Sequence, residues 1–188
     1  MITLGSVDDL LALYARRGDE AYGESVTSLE HALQCAFLAQ RAGAADELVA
    51  AALLHDVGHL VADLQGDERF DLAVDDDDHE AVGARALAPL FGPRVAQPVA
   101  LHVTAKRWRC TVTPAYRDSL SATSQATLVA QGGLLSADEC RRFEAHPGFR
   151  DALQLRDWDD EAKRQEVDCP DLASFRPLLE RLALSARV

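Results

Sequence analysis

The chain has no Cys-x-x-Cys pair: Cys35, Cys110, Cys140 and Cys169 are scattered over 188 residues. That spacing excludes a zinc knuckle and a disulfide framework, and reads as reduced, mostly packed thiols. Long apolar runs are also missing. The longest, residues 48–54, falls far short of the ~20 residues that cross a bilayer. The N-terminus has no basic stretch followed by an apolar one, so no leader is read and cytoplasmic residence is the expectation. Positive charge is scarce, with 19 Lys and Arg against 31 Asp and Glu and a formal net charge of -12. Nucleic acids and anionic membranes, whose counterions only basic patches displace, are thereby excluded as partners. The local exception is Lys106, Arg107 and Arg109, a cluster suited to a small anion.

A hydrophobic content of 48% in 188 residues is enough for one sizeable core, so a single domain over 1–188 is expected. Strand signals are few, and neither internal repeats nor low-complexity linkers are seen. Thr27-Ser28-Leu29-Glu30 fits a capping box, followed by an apolar face through Leu29, Ala32, Leu33, Ala36 and Phe37 until Gly43 stops the helix. Glu30 is therefore read as a cap. Further helices are predicted over 46–57, 78–90 and 94–106, with Gly92-Pro93 between the last two and Pro98 as a possible kink. Others are predicted over 117–131, 136–144, 148–163 and, after Pro170, 171–184. The expected fold is all-α, a helical bundle whose ligands project inward from several helices.

Chemistry enters with His55-Asp56, at the end of the apolar run. A carboxylate offers two oxygens and can bridge two cations, and an imidazole offers one nitrogen. The competing reading is an ordinary helix end, with His55 at the negative pole of the helix dipole and Gly58 as the stop. Five of the six histidines (His31, His55, His59, His79, His102) fall in helical stretches of the first 110 residues, whereas His146, before Pro147, reads as loop. Four imidazoles (His31, His55, His79, His102) with Asp56 and Asp159 make a nitrogen and oxygen set suited to iron, manganese or zinc.

His102 and Lys106 are four apart and share a helix face, which puts an ammonium within reach of anything held beside His102. The alternative is a plain surface lysine. His59, four after His55, is read as supporting the site, by hydrogen bonding or as an acid. Ser124 and Thr127 share a face, and their default role is capping or bonding to the preceding turn. Asp75-Asp76-Asp77-Asp78 reads as a solvated loop, with Asp77 or Asp78 capping the helix that carries His79.

The order His31, His55-Asp56, Asp159 is the signature of HD-domain metalloproteins, and His79 and His102 resemble its dinuclear branch. More narrowly, Tyr22-Gly23-Glu24, Leu29-Glu30-His31-Ala32-Leu33-Gln34, Leu53-Leu54-His55-Asp56-Val57-Gly58-His59, the stretch from His102 to Trp108, and Trp158-Asp159-Asp160 resemble the mixed-valent diiron oxygenases of phosphonate breakdown, the PhnZ type. The resemblance runs from about Tyr22 to Lys163 and departs at Ser28, where many relatives carry glutamine. It implies an HD-type bundle holding two iron ions, Fe(II) and Fe(III), on His31, His55, Asp56, His79, His102 and Asp159. It also implies dioxygen as co-substrate and cleavage of the carbon–phosphorus bond of a small 1-hydroxyphosphonate to phosphate and a carboxylic acid. Lys106, Ser124 and Thr127 would hold the phosphonate, with Asp160 and Lys163 in support. Tyr22 and Glu24 would form a gate, with Glu24 meeting a cationic substrate tail. The rival reading is hydrolytic: the same ligands could hold two divalent ions that activate water against a small phosphoester. A catalytically silent binding protein of the same fold is the third.

Overall fold

A computed structural model describes residues 4–20, 26–62, 78–165 and 167–185. The regular structure among these residues is helical: α1 (Val7–Arg17), α2 (Ser28–Arg41), α3 (Asp46–Leu54), α4 (Val57–Ala62), α5 (His79–Phe91), α6 (Pro93–Val112), α7 (Pro114–Ser119), α8 (Ala122–Ala130), α9 (Ala137–Glu144), α10 (Phe149–Glu161) and α11 (Arg176–Ser185). A 3-10 turn, Leu172–Phe175, precedes α11.

The apolar run decides the architecture. Residues 48–54 are buried on every face of α3, and a helix apolar all round must be surrounded. Helices α2, α6, α10 and α11 pack on it, while α5 lies against α4 and α6. Entry to α2 is fixed by the capping box: Thr27 Oγ1 accepts from Glu30 N–H, and the Glu30 carboxylate accepts from Thr27 N–H at 2.7 Å. Glu30 is thus spent on the cap, as expected. Entry to α6 uses Gly92, at φ 71°, followed by Pro93 in the first turn, where a missing N–H costs nothing. Around Trp108 of α6, the rings of Phe143 and Phe149 meet edge to face, tying α9 and α10 to it.

Several boundaries differ from the sequence-based expectation. The helix expected over 46–57 stops at Leu54 and resumes as α4 at Val57, leaving His55-Asp56 in the turn between them. Gly58 is a contact residue of α4 and not a stop. A Cβ there would lie 1.9 Å from the His79 carbonyl oxygen, so only glycine lets α4 approach the start of α5. The helix expected over 94–106 continues to Val112, because Trp108 and Cys110 each enter a small apolar cluster. The stretch 117–131 is interrupted before α8, where Ser121 accepts from Ser124 N–H and caps the new helix. Asp78 stands at the N-cap of α5 with φ 48°, yet its side chain does not cap it; Asp77 lies outside the described residues. Helix α1 had no counterpart in the prediction. It buries Leu10, Leu13 and Tyr14, and the Tyr14 hydroxyl donates to Leu53 O at 2.9 Å, pinning the last turn of α3. The four cysteines are free, three of them buried. Among the described residues no helix is long and apolar enough to cross a membrane.

Candidate metal centre

Six of the expected residues converge from five separate stretches of the chain. His31 comes from α2, His55 and Asp56 from the turn after α3, His79 from the first position of α5, His102 from α6 and Asp159 from α10. The four imidazoles and Asp159 are at most 5% exposed. Three of the rings are oriented by backbone carbonyls. Nδ1 of His31 meets Ala162 O at 2.7 Å, that of His55 meets Ala52 O at 2.9 Å, and that of His102 meets Val99 O at 2.7 Å. An Nδ1–H spent on a carbonyl leaves Nε2 with its lone pair free for a metal.

The Nε2 atoms face one another in two pairs. His31 and His55 are 3.2 Å apart, and His79 and His102 are 3.1 Å apart. Two nitrogens bound at ~2.1 Å and at right angles to one ion would be ~3.0 Å apart, so each pair has the spacing of shared ligands. Asp56 stands between the pairs. Its Oδ2 is 3.2 Å from His55 Nε2 and 3.7 Å from His31 Nε2. Its Oδ1 is 3.5 Å from His79 Nε2 and 3.6 Å from His102 Nε2. Asp159 joins the first pair, with Oδ1 3.4 Å from His31 Nε2. The donor set therefore fits two cations bridged by one carboxylate, with four protein donors at one pole and three at the other.

His59 stacks on His79 with ring centroids 3.9 Å apart, and a ring nitrogen lies within 4.8 Å of donor atoms of Asp56 and His79. It lies against the three-donor pole. Cys35, one turn after His31, places Sγ 3.7 Å from His31 Nε2 and donates to Trp158 O; burial raises its thiol pKa.

Charge is concentrated here. His55 is raised to about 9, since burial opposes its charge but the carboxylates of Asp56 and Asp159 outweigh it. His102 is driven down to about 3 by burial, reinforced by His79 and His55. Burial would lift Asp56 and Asp159, but the neighbouring imidazoles hold Asp56 well below the carboxylate range, and Arg156 with His31 and His55 does the same for Asp159.

One turn beyond His102, two lysines meet the side chains of α8. Lys106 is 4% exposed, so it is no surface lysine. Its Nζ donates to Thr127 Oγ1 at 2.6 Å and to Gln131 Oε1 at 3.0 Å. Lys163 donates to Ser124 Oγ at 2.9 Å. Ser124 and Thr127 thus present their hydroxyls to two ammonium groups from one face of α8. Burial pushes Lys106 down to about 7, assisted by Arg156 and Lys163 and opposed by Asp159. The rest of the expected basic cluster is engaged elsewhere. Arg107 is taken up by the carbonyls of Gly132 and Gly133, and Arg109 by Asp157 and Leu153 O. Neighbours in sequence, they lie on other faces of α6. Tyr22 and Glu24 lie outside the described residues. Ser28 turns away, toward Glu20 O.

Two participants escaped the sequence reading. Gln131, four after Thr127, was assigned only to a helix end. Arg156 is 4% exposed; it donates to Asp159 Oδ2 at 2.6 Å and also pairs with Asp160. Its spacing of three and four from these carboxylates on α10 was the available signal. Breaking such a buried pair costs about 3–5 kcal/mol.

The HD-domain profile matches residues 28–132, the span that contributes His31, His55, Asp56, His79 and His102. The chain belongs to the HD-domain family. Within that family it is 44% identical to the hydroxymethylphosphonate dioxygenase of Gimesia maris, over 93% of this chain and 86% of that protein. It is 36% identical to the glycine-betaine-forming [1-hydroxy-2-(trimethylamino)ethyl]phosphonate dioxygenase of Leisingera caerulea, over 94% and 89%. An uncharacterized protein of Acanthamoeba polyphaga mimivirus is 34% identical, over 93% and 80%. Asp159, beyond the end of the HD match, falls in the C-terminal helices of this HD-domain protein.

Proposed function

We propose that this HD-domain protein is an oxygenase that uses dioxygen to cleave the carbon–phosphorus bond of a small 1-hydroxyphosphonate, releasing phosphate and a carboxylic acid. The carrying observation is the carboxylate of Asp56 set between two imidazole pairs, in a chain 44% and 36% identical to two phosphonate dioxygenases. In this reading His31, His55, Asp56 and Asp159 hold one iron, and His79, His102 and Asp56 hold the other. A mixed-valent Fe(II)/Fe(III) pair supplies the capacity to activate dioxygen and to bind an anionic substrate.

The protein's own groups do the positioning. The three-donor pole leaves more room for substrate oxygens than the four-donor pole. Lys106, one turn beyond His102, supplies the cation for the phosphonate, and Thr127 and Ser124 supply hydroxyls that can donate to its oxygens. A phosphonate entering this pocket returns Lys106 to its charged form, because the added anion offsets the burial that lowers it. His59, which stacks on His79, would hold or move a proton at the substrate hydroxyl. The near-complete burial of the ligands keeps bulk water from the reacting carbon.

Glu24 is proposed to meet a cationic tail and Tyr22 to close the entrance. Hydroxymethylphosphonate and its trimethylammonium-bearing counterpart are the substrates to compare. The deciding experiment is phosphate release from each, in air and under anaerobic conditions, with 18O2 as the label. The proposal expects no release without dioxygen, and one 18O atom in the carboxylic acid. Undiminished anaerobic release would overturn the oxygenase reading, and phosphate from a small phosphoester with none from either phosphonate would favour the phosphohydrolase reading.

A further inference from the structure

Arg156 is more than a counter-ion for buried acids. All three of its nitrogens are engaged: NH1 with Asp159 Oδ2 at 2.6 Å, Nε with Tyr116 Oη at 3.0 Å and Asp160 Oδ2 at 3.1 Å, and NH2 with Asp160 Oδ1. The Tyr116 hydroxyl in turn donates to Asp160 Oδ2 at 2.5 Å. Asp160 alone would neutralise the guanidinium. The additional bond to Asp159 does something specific, because it engages Oδ2, the oxygen that faces His55 at 4.0 Å, and holds it 2.6 Å from the guanidinium. Oδ1, at 3.4 Å from His31 Nε2, is left for the centre.

We infer that Arg156 is a positioning residue that holds Asp159 as a one-oxygen ligand and so keeps a coordination position open at the four-donor pole. A carboxylate free to rotate can present both oxygens to a single ion, and the second oxygen would occupy the position that a small co-substrate needs. The planar fork of arginine is suited to this restraint, since it meets Asp159 with one edge while Asp160 and Tyr116 fix the other. A lysine has one donor centre and cannot hold both carboxylates in these orientations. The inference rests on the reading of the site as a metal centre.

The test uses the full chain loaded with iron, and its readouts separate the two readings. Metal content of the wild type comes first: a chain that binds no iron overturns the metal-centre reading itself. With two irons bound, Arg156→Lys is expected to retain both, to shift the electron paramagnetic resonance signal of the substrate-free centre, and to lower kcat about tenfold or more. KM for the phosphonate should stay within about threefold, because Lys106 and α8 are untouched. Asp160→Asn and Tyr116→Phe, which loosen only the far edge of the guanidinium, should shift the signal less. An unchanged signal in Arg156→Lys, or the same shift in all three variants, overturns the proposal. Should Arg156→Lys fail to fold by circular dichroism, infrared difference spectra of the wild type, metal-loaded minus metal-free, decide instead. A widely split carboxylate pair absent from Asp159→Asn marks one-oxygen binding, and a narrowly split pair from Asp159 contradicts it.

Discussion

Replacing Gly58 by alanine removes no ligand and adds one methyl group, yet it should empty half of the centre. The new Cβ would lie 1.9 Å from the carbonyl oxygen and 2.6 Å from the carbonyl carbon of His79, with the Gly83 nitrogen at 3.0 Å. All three are backbone atoms, so no side chain can swing aside. Restoring ordinary contact requires α4 and the start of α5 to part by roughly 1.5 Å. His79 is the first residue of α5 and moves with it, opening the 3.1 Å approach to His102 and the 3.5 Å approach to Asp56. His31 and Asp159 come from α2 and α10 and His55 from the turn after α3, none of them on α4 or α5. The expected outcome is a folded protein destabilised by about 1–3 kcal/mol, with iron content reduced from two toward one per chain and turnover reduced by about a hundredfold. Elemental analysis beside thermal unfolding reads both effects. Two tightly held irons with undiminished turnover would refute the reasoning.

Lys106→Ala should raise KM for the phosphonate by about 10–100-fold, the worth of a charge-assisted hydrogen bond, with iron content unchanged; an unaltered KM in steady-state assays removes Lys106 from the pocket. Metal uptake should depend on pH. His55 in the metal-free protein keeps its proton up to about pH 9, and only the neutral ring binds metal, so affinity should fall about tenfold per unit as pH drops below that value. Calorimetry in buffers of different ionisation enthalpy should detect the released proton, and an affinity flat between pH 7 and 9 contradicts the assignment. For the metal-free protein the sign is opposite. A raised His55 pKa stabilises the fold fully below its ordinary 6.5, and that contribution fades as pH climbs through about 9. Glu24→Gln should weaken turnover of the trimethylammonium-bearing phosphonate more than that of hydroxymethylphosphonate, a selectivity measured as the ratio of the two kcat/KM values.

Much of this was legible in the residues. The apolar run before His55 identified the central helix, because a stretch without a polar face has nowhere else to go. Capping chemistry placed the start of α2 at Thr27, since its box is written within four residues, while the equivalent box at Ser136, at the start of α9, went unread. The convergence of His31, His55-Asp56, His79, His102 and Asp159 was read from the order of ligand-type residues and a family resemblance, and periodicity alone could not have joined segments 128 residues apart. What escaped was set by tertiary contact. The break at His55-Asp56 depends on α4 turning toward α5, which Gly58 permits but does not announce. Arg107 and Arg109 were grouped with Lys106 because charge was counted along the chain, whereas the helix sends each to a different face. The role of Arg156 depended on knowing that Asp159 needed a partner for its second oxygen.

Electron paramagnetic resonance of the iron-loaded, partly reduced protein tests the bridged pair most directly. Two ions coupled through Asp56 should give an S = 1/2 signal from a mixed-valent Fe(II)/Fe(III) pair, with two irons per chain, and Asp56→Asn should abolish it. An isolated high-spin ferric signal at one iron per chain, unaffected by Asp56→Asn, would contradict a dinuclear centre.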